Sequence, residues 1–159
     1  MQQNTIKNFG VIVEQLDRNP RSHLLLTNLN NIVTEHSNYS PTIFYQNVTQ
    51  PPIGSCCVKM HYMHSWNYDG VLISTSLPTT VILGSNICAK KKYFYVYDLE
   101  WMFLQKPIFK QINGLYNNPD IELIARSQSH YDLLTKLWKE PVAIVDNFKY
   151  TDLMKLLEK

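Results

Sequence analysis

Glycine is scarce, with five residues in a chain of 159. The chain therefore has no G-x-G-x-x-G fingerprint and no P-loop, whose glycines let backbone N–H groups approach phosphates. Cysteine is scarcer still. Cys56, Cys57 and Cys88 are an odd set with no paired C-x-x-C, which argues against a disulfide framework and a structural zinc site. Charge of one sign is missing too. Lys and Arg total 15 against 13 Asp and Glu, a net charge of +2 that gives no long-range field for nucleic acid or an anionic membrane. No apolar run approaches the roughly 20 residues that span a bilayer. The opening Met1-Gln2-Gln3-Asn4-Thr5-Ile6-Lys7 lacks a basic stretch followed by an apolar core, so no signal peptide is expected. The cytoplasm is the expected compartment, and the sequons at Asn38 and Asn47 are then chance matches.

What is present argues for one folded domain over residues 1–159. Hydrophobic residues make up 45% of the chain and aromatics 12%, too many for disorder. The abundance of Asn, Lys, Ile and Tyr fits an AT-rich genome, such as that of a phage or a low-GC bacterium. Short β-branched runs predict strands at 9–14 (FGVIVE), 41–46, 56–63, 70–74, 93–98 (YFYVYD), 122–126 (ELIAR) and 142–146 (VAIVD). Helical spacing predicts helices at 21–37, 77–84, 107–116 and 129–139. A last helix carries Tyr150, Leu153, Met154 and Leu157. Residues 47–55, with Pro51, Pro52 and Gly54, read as a loop. Strands that are apolar throughout suit a parallel sheet covered on both faces. The fold class is doubly wound α/β, Rossmann-like, with a mostly parallel sheet of about six strands and right-handed crossovers.

Such folds bind ligands beyond the carboxyl ends of the strands. That rule selects Gln15, Asp17, Arg18, Asn19, Arg21 and Ser22 after the first strand, and Thr75 and Ser76 after the fourth. It then selects Asp98, Glu100 and Trp101, followed by Ser127 and Gln128, and finally Asn147. Arg18 and Arg21, beside a helix start that Ser22 is placed to cap, suit a phosphate or carboxylate. The alternative is a solvated turn. Asp98 and Glu100 suit a general base acting on a hydroxyl, and Trp101 suits stacking on a sugar or a base. The alternative places Trp101 in the core beside Met102 and Phe103. Cys57, His61 and His64 have a spacing open to a metal, but they read better as a buried thiol and a histidine pair. His130 reads as a surface or cap residue, and Lys90-Lys91-Lys92 as a solvated loop. No metal and no cofactor is expected. A response-regulator or flavodoxin-like reading fails on the missing acidic pair and the missing flavin-phosphate loop.

From residue 68 to 148 the chain resembles the N-terminal Rossmann-like domain of GT-B glycosyltransferases. The resemblance rests on the strand Tyr68-Asp69-Gly70-Val71-Leu72-Ile73 and the turn Tyr97-Asp98-Leu99-Glu100-Trp101. It continues through Ile124-Ala125-Arg126-Ser127-Gln128-Ser129-His130 and Val142-Ala143-Ile144-Val145-Asp146-Asn147. It covers about half the chain, by pattern rather than by a unique motif. It implies a domain that binds a sugar, a nucleotide-sugar or an acceptor. Asp98 or Glu100 would be the base, Trp101 the stacking surface, and Arg18 or Arg21 the anion contacts. The family's glycine-rich first loop is missing, and its second domain has no counterpart here. The resemblance thus implies an acceptor-binding domain, a homodimer or a subunit completed by a partner chain, or a descendant without catalysis. The other reading is a non-catalytic binding or assembly module on the same scaffold.

Overall fold

The computed structural model describes residues 7–49, 54–103 and 109–158. Residues 1–6, positions 50–53 of the predicted loop and positions 107–108 of the predicted helix lie outside these. The strands are β1 (Lys7–Leu16), β2 (Tyr39–Val48), β3 (Val58–His61), β4 (Val71–Ser74), β5 (Lys91–Val96), β6 (Glu122–Ala125) and β7 (Ala143–Ile144). The helices are α1 (Pro20–Glu35), α2 (Leu77–Ser85), α3 (Phe109–Tyr116), α4 (Gln128–Leu137) and α5 (Tyr150–Leu157). Short 3-10 turns occur at Tyr62–Ser65, Glu100–Phe103 and Asp146–Phe148.

All seven strands form one sheet in the order β3-β2-β1-β4-β5-β6-β7, and every pairing is parallel. The sheet has one strand more than the expected six or so, and its polarity is uniform. The strands read as unbroken apolar runs because each face of the sheet has its own helical cover. Alternation along a strand sends successive side chains to opposite faces. In β1, Phe9, Val11 and Val13 meet Leu25, Leu29 and Ile32 of α1 and Leu153 and Leu156 of α5. Ile12 points the other way, into a second core with Leu83 of α2, Ile112 and Tyr116 of α3, and Leu134 of α4. β5 divides likewise, with Tyr93 and Tyr95 on the first face and Phe94 and Val96 on the second. This is a doubly wound, Rossmann-like α/β domain.

Local chemistry sets the element ends. The N-cap of α1 is Asn19, not Ser22: its side chain accepts from the Ser22 amide at 2.7 Å, and Pro20 supplies the fixed φ of the first helical turn. Ser22 instead sits within the first turn, where its hydroxyl lies 3.2 Å from Asp17 Oδ1. β7 pairs over two residues only, because it is the sheet's edge and the chain turns into the Asp146–Phe148 segment directly after it.

One glycine in β1 is fixed by packing. A Cβ on Gly10 would lie 2.6 Å from Phe44 Cε2 and 2.8 Å from Leu72 Cδ2, and both of those side chains are buried. Gly10→Ala is expected to destabilise the domain by about 1–3 kcal/mol, the usual cost of overpacking. Urea unfolding measures it, and an unchanged midpoint would mean that the second core is looser than described.

Candidate functional site

β1 and β4 are adjacent, yet the chain leaves β1 towards β2 and leaves β4 towards β5. That reversal is a topological switch point, and the crevice beyond the strand ends opens there. A cavity of about 220 Å³ occupies it, lined by Glu14, Gln15, Asn19, Arg21, Ser22, Ser76 and Phe148 among others. The two walls are tied together. The Thr75 hydroxyl donates to the Ile12 carbonyl at 2.9 Å, and the Arg21 guanidinium donates to the Thr75 carbonyl. Ser76 caps α2 in a reciprocal box with Thr79. Thr75 and Ser76 are both buried, so their hydroxyls serve the frame of the crevice.

Arg21 is the hub. Its guanidinium lies 4.8 Å from the centroid of the Tyr97 ring, and its Nη1 is 3.7 Å from Asp98 Oδ2. Arg126, just beyond β6, approaches the same ring at 4.2 Å and the other Asp98 oxygen at 3.9 Å. Tyr97 stacks on Phe148 with an interplanar angle of 13°, and its hydroxyl donates to Asn147 Oδ1 at 3.3 Å. Asn147 and Phe148 both have positive φ, 45° and 61°. Two such non-glycine residues in succession cost about 1–3 kcal/mol each, so the surrounding contacts must hold them. Those contacts are the Tyr97 and Tyr95 rings and the Tyr95 hydroxyl, which donates to the Val145 carbonyl at 2.8 Å.

Glu100 lies at the start of α2. Its Oε2 accepts from the Leu77 amide at 2.8 Å, an orphan donor of the first helical turn. Burial raises its carboxyl above the ordinary range; the Leu77 amide and Arg21 pull it down, and Glu14 and Asp98 push it up. The native chain therefore holds a proton at Glu100 at pH values where the unfolded chain has released it. Stability falls as pH rises from the unfolded to the native value, and the cost of the charge is complete above the native value. Glu100→Gln removes the charge and keeps an amide oxygen for Leu77. The variant is expected to be more stable than the parent at pH 7, with the gap closing towards pH 4. Urea unfolding at the two pH values checks this, and a less stable variant at pH 7 would contradict it.

The structure brings together Gln15, Asn19, Arg21, Ser22, Thr75, Ser76, Asp98, Glu100 and Asn147 from the sequence expectations. It places Asp17, Arg18, Trp101, Ser127 and Gln128 elsewhere. Arg18 lies along a separate groove with Asp17, Pro20 and His23. Trp101 meets Tyr116 and Trp138 edge-on, at 5.2 Å and 4.6 Å between centroids, and packs half-buried against the second core. Ser127 caps α4 by accepting from the His130 amide, and Gln128 bonds outward to Asp132 at 2.8 Å. Sequence reasoning missed Glu14, Tyr97, Arg126 and Phe148. Arg126 had a signal: it is the first residue after the apolar run of β6. Among the described residues no cluster of three or more His, Cys, Asp or Glu is arranged for a metal ion. His61 packs on Tyr62 at 4.6 Å, and Cys57 is a buried free thiol. No helix among the described residues is long and apolar enough to cross a membrane.

Comparison of the chain with protein-family models, with curated proteins and with solved structures finds no match.

Proposed function

We propose that this chain is a glycosyltransferase-like domain that holds a sugar-bearing ligand, a nucleotide-sugar or its acceptor, in the crevice between β1 and β4. The observation that carries the reading is the mixed lining of that crevice. Arg21 offers charged donors, while Glu14, Gln15, Asn19 and Ser22 offer groups for hydroxyls. Glu100 is the carboxylate suited to act as general base. It is half-buried, its proton affinity is raised, and it lines the adjoining groove with Glu14, close enough to feel the Arg21 charge. Asp98 lies between two guanidiniums, both of which rest on the Tyr97 ring.

The cavity's size supports a shared site. About 220 Å³ is below the roughly 300–1,000 Å³ of a complete small-molecule pocket. A second copy or a partner chain then supplies the remaining wall. Calorimetric titration with UDP-glucose, GDP-mannose and free sugars tests the reading. Saturable binding near one ligand per chain supports it, and no heat at millimolar ligand contradicts it.

A second reading, an assembly module without catalysis, draws on the apolar groove between α2 and α3. Leu77, Pro78, Val81, Ile112 and Leu115 line it, and Val81 is exposed. Concentration-dependent self-association in sedimentation, with no sugar binding, selects that reading.

A further inference from the structure

We propose that Arg21 and Arg126 form a two-guanidinium claw for a phosphate group, and that the Asp98 carboxylate holds the place of that group until the ligand displaces it. The inference rests on the crevice being a ligand site, and it adds the chemistry of one ligand group and a gate. It stands on three observations.

First, the pairing is loose. The two N···O separations, 3.7 Å and 3.9 Å, exceed hydrogen-bond reach, so Asp98 offsets part of the arginines' charge without saturating their donors. Among the described residues the Arg126 guanidinium makes no hydrogen bond. Arg21 uses Nη2 on the Thr75 carbonyl and leaves the rest of its fork free. Second, the charges do not cancel. One carboxylate stands between two guanidiniums, and a phosphate dianion would match both and offer oxygens for bidentate bonds. Glu14 lines the cavity with Arg21, Glu100 is bonded to the Leu77 amide, and Asp146 acts on Tyr95 together with Arg126, so none of these three carboxylates stands between the two guanidiniums as Asp98 does.

Third, the donors are pre-oriented and the placeholder is free to leave. Both guanidiniums rest on the Tyr97 ring, which is itself clamped by Phe148 and Asn147. Asp98 is the more exposed partner, at 52% against 30% for Arg21 and 34% for Arg126. It follows β5 beyond the last paired residue, so its side chain can swing to solvent without breaking a ladder bond.

Titration with inorganic phosphate at constant ionic strength, with chloride as the balancing salt, tests the claw. Asp98→Asn keeps the shape and removes the competing charge, so phosphate is expected to bind about tenfold more tightly than to the parent. Arg126→Gln, in the parent or on top of Asp98→Asn, is expected to weaken phosphate about tenfold. An Asp98→Asn variant that binds phosphate no better than the parent overturns the proposal, and so does an Arg126→Gln variant that binds it unchanged. Circular dichroism checks each variant's fold, and Arg126→Gln alone suffices if Asp98→Asn does not fold. Because no sugar is present, failure of the glycosyltransferase reading shows separately, as phosphate binding without UDP-glucose binding.

Discussion

Arg21→Ala is expected to lower affinity for a nucleotide-sugar by about 10–150-fold, the worth of one hydrogen bond to a charged group, about 1.5–3 kcal/mol. The loss has two sources. The guanidinium is the charged donor of the crevice, and it also fixes the wall by bonding the Thr75 carbonyl. Arg21→Lys separates them. Lysine keeps the charge but loses the planar fork and the stacking on Tyr97, so it should recover only part of the affinity. Calorimetry on the three proteins reads the effect. Unchanged affinity in Arg21→Ala would move the ligand away from the switch point.

Tyr95→Phe is expected to cost about 1–3 kcal/mol of stability, or roughly 2–12 °C in Tm for a domain of this size. The hydroxyl is buried, donates to the Val145 carbonyl and accepts from the Phe148 amide at 3.4 Å. Its loss strands a buried carbonyl at the point where two left-handed residues must be held. Ligand binding should weaken as well, because Phe148 forms part of the crevice wall. Tyr116 is the control. Its hydroxyl is buried with no partner among the described residues, so Tyr116→Phe should leave stability unchanged or raise it. Thermal unfolding of the pair decides the matter. Equal losses from both would show that the Tyr95 bonds contribute nothing.

The fold was legible because burial on both faces writes itself into sequence. FGVIVE and YFYVYD have few polar residues to break the run, since neither face of β1 or β5 meets water along most of its length. The strand-end rule then found Arg21, Ser76, Asp98 and Glu100, because position relative to an apolar run is a sequence property. Side-chain direction is not. Trp101 sits three residues from the strand-end aspartate, yet it turns to Tyr116 and Trp138, partners that only the fold brings near. Tyr97 lies in the aromatic run of the predicted strand 93–98, and its role as the surface for two guanidiniums depends on arginines 76 residues before and 29 after it in the chain. The α1 cap was legible in retrospect. Proline favours the first helical position, so the residue before Pro20 is the cap, and Asn19 is a stronger signal than Ser22.

The central claim is that a sugar-bearing ligand binds at the carboxyl ends of β1 and β4. Amide chemical shifts of the isotope-labelled chain, followed during titration with UDP-glucose, test it most directly. The account predicts saturable shifts centred on Gln15, Asn19, Ser22, Ser76 and Phe148, with the opposite ends of the strands, at Asn8 and Val71, unmoved. Shifts centred on Asn8, Gly70 and Val71, or no saturable shifts at millimolar ligand, would contradict it.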